Sequence, residues 1–189
     1  MWLLVGLPGV GKTTRARELV AAHGGVLLSP DEWALALFGT LDIGRTRDSL
    51  EAMLLNVAQG ALRSGADVVL DFGLWGRDER TALRAMAADC GASCHLVHVC
   101  ADDDERRARL AERDAGTPWV HLTLGVVGSE GMQMPTQDEL DDGPLDDPSL
   151  AKPPSCPVHL QDDTEPAGYT DWASWARERW PGLQWASHT

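Results

Sequence analysis

A glycine-rich segment near the start of the chain has the residue types and spacing of a phosphate-binding loop. From position 6 the sequence reads GLPGVGKTT, which satisfies the pattern GxxxxGK[ST]. Glycines allow backbone N–H groups to point inward around a phosphate, and the start of the following helix adds a positive dipole end. Lys12 would bridge the β- and γ-phosphates of a nucleotide, and Thr13 would offer its hydroxyl to Mg²⁺. The predicted nucleotide-binding residues are Gly6, Leu7, Pro8, Gly9, Val10, Gly11, Lys12, Thr13 and Thr14.

Two aspartates follow apolar runs that have the character of strands. Asp31, in the segment LSPDEW, lies three residues after the run 26–28, and Asp71 ends the run VVLD. Because ligands bind at the carboxyl ends of parallel strands, both carboxylates are candidate site residues. Asp31 is predicted to bind the acceptor and to take the proton of its hydroxyl as a general base. The alternative is that Asp31 only complements a helix dipole.

The aspartate at the end of VVLD is a candidate metal ligand. Asp71 would hold Mg²⁺ directly or through water, although it could also be an ordinary aspartate at a strand end. Phe72 follows it, so the glutamate that activates water in motor-type ATPases is missing from this position. The pattern therefore favours transfer of a phosphoryl group to a substrate over hydrolysis.

Two pairs of arginines could contact substrate phosphates or an acceptor. In DDDERRARLAERD, Arg109 and Arg113 stand four residues apart and share a helix face. They are predicted to neutralise the charge that develops during phosphoryl transfer, the alternative being a solvated helix with a pair between Glu105 and Arg109. Arg77 and Arg80 follow the third strand and are predicted to bind substrate, the alternative being an exposed helix start.

Hydrophobic periodicity predicts strands that alternate with helices. The predicted strands are Trp2–Val5, Val26–Leu28, Asp67–Phe72, Cys94–Val99 and Pro157–Leu160. The predicted helices, besides one that starts at Pro30, are Lys12–His23, Arg47–Ser64, Arg77–Cys90, Asp102–Asp114 and Asp171–Trp180. This order predicts an α/β fold with a mostly parallel sheet of about five strands. Residues 1–189 are expected to form a single domain, with a lid helix near 102–116 and an irregular, acidic, proline-rich insertion near 117–157.

Composition restricts the class of partner. The chain has 189 residues and a formal net charge of -13, which disfavours binding to nucleic acid. The apolar runs are too short to span a membrane. No basic region precedes the first apolar run, so that run is not a signal peptide and a cytoplasmic location is expected. The cysteines are predicted to be free thiols because no CxxC pair or metal-like spacing is present; they are Cys90, Cys94, Cys100 and Cys156.

Four motifs together resemble the P-loop kinase-like ATPases, a family that includes zeta-toxin-type kinases, chloramphenicol phosphotransferase and the kinase domain of polynucleotide kinases. The motifs are GLPGVGKTT, LSPDEW, VVLDFGLWGRDER and RRARLAERD, within residues 1–116. The resemblance implies a nucleoside-kinase-like P-loop NTPase fold, a three-layer α/β sandwich, and the use of ATP with Mg²⁺. It implies that Asp31 is the catalytic base, that Arg109 and Arg113 are lid arginines, and that Arg77 and Arg80 form an RxxR-like segment.

The expected function is therefore an ATP- and Mg²⁺-dependent kinase that moves the γ-phosphoryl group onto an alcohol group of a small molecule. Its expected catalytic residues are Lys12, Asp31, Arg109 and Arg113. Two alternatives remain open at this point. One is a kinase acting on the 5′-hydroxyl of a polynucleotide, and the other is a nucleotide-binding regulatory ATPase that has no acceptor.

Overall fold

The computed structural model describes residues 1–116, 132–140 and 171–185, in which strands and helices alternate. The strands are β1 (Trp2–Val5), β2 (Val26–Leu28), β3 (Val68–Gly73) and β4 (His95–His98). The helices are α1 (Lys12–His23), α2 (Pro30–Phe38), α3 (Thr46–Arg63), α4 (Arg77–Asp89), α5 (Asp103–Gly116), α6 (Gln137–Leu140) and α7 (Trp172–Arg179). The predicted strand at 157–160 and most of the predicted insertion lie outside the described residues. The prediction of a single domain over residues 1–189 stays a prediction.

The described strands form one parallel sheet in the order β2-β3-β1-β4. In the centre, Trp2 pairs with Val69 of β3 and with His95 of β4. Every residue of β1 is buried, as expected for a strand that is covered on both faces of a parallel sheet. This topology places the carboxyl ends of β1, β2 and β3 at one edge, where each strand is followed by a predicted site segment.

Helices cover both faces of the sheet and complete three layers. On one face, α1 packs through Ala16 and Leu19 against Leu4 and Val69. On the other face, apolar side chains of α3, α4 and α7 form the larger cluster around Leu3 and Leu70. The three-layer α/β architecture expected from the sequence is therefore confirmed.

The segment 171–185 is fixed to the sheet-covering helices by tryptophans and their polar contacts. Trp180 is 1% exposed, and its indole Nε1 donates to Oε2 of Glu51 in α3 at 2.9 Å. Trp185 Nε1 donates to Asp89 at the end of α4, also at 2.9 Å. These contacts join residues about a hundred positions apart and bring the end of α7 beside α3 and α4.

The state of one cysteine differs from the prediction. Cys90 and Cys94 are free thiols, whereas Cys100 is disulfide-bonded. The prediction of a free thiol at Cys100 was wrong, because the spacing of cysteines in a sequence does not show which of them pair. Cys156 lies outside the described residues. Across the described ranges, no helix combines the length and apolar character needed to cross a bilayer.

Candidate active site

The glycine-rich loop joins β1 to α1. Its residues Gly9 and Gly11 have positive φ angles, which residues with a side chain rarely adopt. Gly11 lies directly before α1 with φ 99°, in the left-handed region that favours glycine. Gly9 has φ 84°, and a Cβ placed there would lie 3.0 Å from the carbonyl oxygen of Arg106 in α5. The loop therefore keeps its backbone close to α5 and opens onto the N-terminus of α1, the arrangement that binds phosphate.

Lys12, Thr13 and Asp71 lie together at this N-terminus. The ammonium of Lys12 donates to the carbonyl oxygen of Leu7 at 3.0 Å, and the hydroxyl of Thr13 donates to Oδ2 of Asp71 at 2.7 Å. Burial lowers the pKa of Lys12, and the negative charges of Asp71 and Asp31 oppose that shift. Burial likewise raises the pKa of Asp71, against the Thr13 hydrogen bond and the Lys12 charge. Burial thus disfavours the charged form of both groups, and a phosphate beside Lys12 with a cation beside Asp71 would oppose that effect.

The donor set beside the loop fits Mg²⁺. A threonine hydroxyl and a carboxylate 2.7 Å apart are the oxygen ligands that this ion takes together with substrate phosphates and water. Among the described residues, no group of three or more His, Cys, Asp and Glu side chains could hold a metal by itself. The residues therefore fit an ion that arrives with phosphates better than a permanent protein-only metal site.

Asp31 lies in the first turn of α2, at the carboxyl end of β2. Its side chain is 54% exposed and forms a 2.7 Å ion pair with Nη1 of Arg47. Nε of the same guanidinium bonds to Oε1 of Glu51 at 2.9 Å. Arg47 thereby fixes the carboxylate of Asp31 relative to α3 and leaves part of it accessible to a ligand.

One cavity of about 580 Å³ connects these groups. It brings together six predicted site residues from four elements, which are Lys12, Thr13, Asp31, Asp71, Arg109 and Arg113. Pro8, Gly9, Gly11 and Thr14 of the predicted nucleotide loop also line it. The roles of all these residues in binding and catalysis stay predictions.

The two lid arginines approach the cavity from α5. Nη1 of Arg109 donates to the carbonyl oxygen of Val10 at 3.1 Å, and its other terminal nitrogen pairs with Glu105. Arg113, one turn further along, also lines the cavity. Helix α5 therefore places two positive charges beside the phosphate loop. Arg109 forms its ion pair with Glu105 while it contacts the loop, so the two arrangements do not exclude each other.

Arg80 occupies a different environment from the one predicted. Its side chain is 0% exposed, and Nε and Nη2 bond to the two carboxylate oxygens of Glu139 at 2.8 and 3.0 Å. Nη1 donates to the carbonyl oxygens of Leu74 and Gln133. Arg80 therefore joins α4 to α6 inside the protein, and its predicted contact with a substrate stays a prediction.

Arg77 also lies apart from the cavity lining. Its backbone N–H donates to Oε1 of Gln133 at 2.7 Å, and the described residues that line the cavity do not include it. The geometry therefore offers no support for the predicted contact between Arg77 and a substrate.

Several cavity residues were not predicted from the sequence. Arg47, Glu51, Glu79, Arg179 and Trp180 line the part of the cavity beyond Asp31. Arg179 of α7 forms ion pairs with Glu79 at 2.8 Å and with Glu51 at 3.7 Å. Their spacing in the sequence follows no catalytic motif, and only the packing of α7 against α3 and α4 brings them together.

The loop, the Thr13–Asp71 pair and the parallel sheet define a P-loop fold of the kinase-like type. In agreement, a family model described as an AAA domain matches residues 1–121. Because the match covers more than half of the chain, the chain belongs to this P-loop kinase-like family.

Solved structures of similar fold include proteins named for kinases. A protein from Chloroflexus aurantiacus assigned as a kinase has a TM-score of 0.53 at 21% identity, over 62% of this chain and 67% of that chain. A sugar kinase from a Janibacter species has a TM-score of 0.53 at 15% identity, over 74% of this chain and 80% of that chain.

A chain of the Pnkp1/Rnl/Hen1 complex has a TM-score of 0.55 at 18% identity, over 75% of this chain and 43% of that chain. At these identities the three structures show a shared fold. A search of curated protein sequences gives no match.

Proposed function

We propose that the protein is an ATP- and Mg²⁺-dependent phosphotransferase that moves the γ-phosphoryl group onto a hydroxyl of a small molecule. The observation that carries the proposal is the single cavity in which Asp31 lies with Lys12, Thr13 and Asp71. A nucleotide-binding site alone needs only the loop and its metal ligands. A half-exposed carboxylate on the adjoining wall adds a group that can act on a second substrate.

The phosphate end of the cavity suits a nucleoside triphosphate. The N–H groups of the loop and the ammonium of Lys12 would hold the phosphates, and Thr13 with Asp71 would hold Mg²⁺. When bound, Mg²⁺ neutralises phosphate charge and orients the phosphates. Arg109 and Arg113 would add positive charge from α5 as negative charge builds on the transferred group.

Asp31 would serve as the general base. Its carboxylate would accept the proton of the acceptor hydroxyl while the hydroxyl oxygen forms a bond to the γ-phosphorus. The bond between that phosphorus and the bridging oxygen breaks, and ADP leaves with both electrons of this bond. Since Asp31 is 54% exposed, the proton it receives can pass to solvent. Arg47 keeps the carboxylate in place through the 2.7 Å ion pair.

Three substitutions test the assignment of roles. Lys12→Ala should abolish ATP-dependent transfer, because the loop loses the cation that contacts the phosphates. Asp31→Asn should keep ATP binding and lower transfer by about 10²- to 10⁴-fold, the usual contribution of a general base. The matched control is Asp104→Asn, which changes an exposed aspartate in α5 outside the cavity lining.

The measurement is ADP release with a panel of hydroxyl compounds, which includes nucleosides, sugars, antibiotics and a 5′-hydroxyl oligonucleotide. Acceptor-dependent ADP release that Asp31→Asn lowers and Asp104→Asn leaves unchanged would support the proposal. Slow ADP release that no compound stimulates, equal in native protein and Asp31→Asn, would contradict it and favour a regulatory ATPase. Stimulation by the oligonucleotide alone would favour a polynucleotide kinase.

A further inference from the structure

The two ends of the cavity carry opposite charge. At the phosphate end, three cationic side chains, Lys12, Arg109 and Arg113, face one carboxylate, Asp71. Beyond it, two arginines, Arg47 and Arg179, face three carboxylates, Asp31, Glu51 and Glu79. The formal sum is therefore +2 for the groups beside the phosphate loop. It is -1 for the group that successive ion pairs join, which is Asp31, Arg47, Glu51, Arg179 and Glu79.

Both arginines at the acceptor end are already engaged by carboxylates of the protein. Arg47 bonds to Asp31 at 2.7 Å and to Glu51 at 2.9 Å. Arg179 bonds to Asp48 at 2.6 Å and to Glu79 at 2.8 Å. A bound anion would have to compete with these carboxylates for each guanidinium, at a cost in electrostatic free energy.

Glu51 is the centre of this network. Its side chain is 6% exposed and contacts both guanidiniums and the indole N–H of Trp180. Burial raises the pKa of Glu51. The hydrogen bond from Trp180 and the positive charges of Arg47 and Arg179 oppose this shift. If Glu51 were neutral, the acceptor end would hold two guanidiniums and two carboxylates, so neither form leaves an excess of positive charge there.

The cavity lining also includes apolar side chains. Leu41, Phe72, Leu74 and Trp75 line the same cavity as the ion pairs. Such a surface, with a few fixed polar groups, binds a compound that has one apolar face and several hydrogen-bonding groups.

We infer that the acceptor is a hydroxyl compound without negative charge, and that Glu51 and Glu79 exclude anionic acceptors. This inference rests on the proposed phosphotransferase function and adds the charge class of its second substrate. Arg179 ends α7 and Trp180 directly follows it, and both lie beyond the family match at residues 1–121. Selection of the acceptor therefore depends on a segment that is additional to the matched nucleotide-binding region.

Matched pairs of acceptors test the inference. Each neutral compound is compared with an anionic derivative that keeps a free hydroxyl, such as adenosine with adenosine 3′-monophosphate and glucose with gluconate. We expect kcat/KM for phosphoryl transfer to be at least about tenfold higher for the neutral member of any pair that is used. Equal or faster transfer to anionic members would overturn the inference and leave the phosphotransferase function intact. No transfer to any member of an acceptor panel would contradict the phosphotransferase function itself.

A substitution links the preference to the carboxylates. In Glu79→Gln the side chain can still accept the hydrogen bond from the N–H of Gly76, but one negative charge is removed. The ratio of kcat/KM between neutral and anionic members should then fall by about tenfold. Glu18→Gln, an exposed position in α1 that pairs with Arg15, should leave the ratio unchanged. A Glu79→Gln protein with the native ratio would show that these carboxylates do not set the preference.

Discussion

Replacing Arg80 with methionine tests the buried role that the structure assigns to this arginine. The guanidinium is 0% exposed and Glu139 is 4% exposed, with two hydrogen bonds between them. Methionine would fill part of the space, but the carboxylate of Glu139 would remain buried without its charge partner. The carbonyl oxygens of Leu74 and Gln133 would also lose their donor.

Removing one partner of a buried ion pair costs about 3–5 kcal/mol, mainly because the other charge stays buried and uncompensated. We therefore expect the free energy of unfolding of Arg80→Met to fall by about 3–5 kcal/mol. With a urea dependence of about 2 kcal/mol per molar, the unfolding midpoint would decrease by about 1.5–2.5 M.

The assay is urea unfolding at pH 7, followed by circular dichroism. Arg107→Met, at an exposed position of α5, is the matched control and should change stability by less than about 0.5 kcal/mol. The double variant Arg80→Met/Glu139→Leu should recover part of the loss, since no buried charge remains. A loss of less than about 1 kcal/mol for Arg80→Met would refute the structural role.

Three further predictions concern pH, a helix glycine and the lid. Burial acts to raise the pKa of Glu139, but the Arg80 bonds and charge outweigh it and hold the pKa below its ordinary value of 4.5. The resulting stabilisation is complete above that value and is lost as pH falls through the lowered pKa, so acid titration of stability should separate native protein from Glu139→Gln. Gly60→Ala, in α3 with open space around the added Cβ, should stabilise the fold by about 0.5–1 kcal/mol in urea unfolding. Arg113→Ala should lower the transfer rate at least about tenfold, with Arg107→Ala as control.

Each of these predictions has a result that would contradict it. Parallel acid curves for native protein and Glu139→Gln would show that this carboxylate has no shifted pKa. A decrease in stability for Gly60→Ala would show that the glycine is needed for packing. If Arg113→Ala lowered the free energy of unfolding by as much as it raised the activation free energy of transfer, Arg113 would have a structural role in α5.

The sequence predicted the nucleotide end of the site well because its residues are adjacent to recognisable elements. The loop and Asp31 each follow a strand and Asp71 lies near the end of β3, and strands in a parallel sheet present their carboxyl ends at one edge. A local pattern was therefore sufficient to expect that Asp31, Asp71 and Lys12 lie near each other, as the shared cavity confirms.

The part of the cavity around Glu51 and Arg179 was missed because its contacts join distant parts of the chain. Trp180 and Glu51 are 129 positions apart, and Arg179 and Glu79 are 100 positions apart. The burial of Arg80 was missed for the same reason. An arginine near the start of a helix gives no local sign of burial, and its partner Glu139 lies 59 positions away.

Detection of the phosphorylated product tests the proposed function most directly. The protein would be incubated with ATP, Mg²⁺ and a cytosolic metabolite extract supplemented with nucleosides and antibiotics, and mass spectrometry would search for compounds that gain one phosphoryl group. The phosphotransferase function predicts a new adduct with native protein that is strongly reduced with Asp31→Asn. ADP formation without any adduct, at equal rates in both proteins, would contradict it.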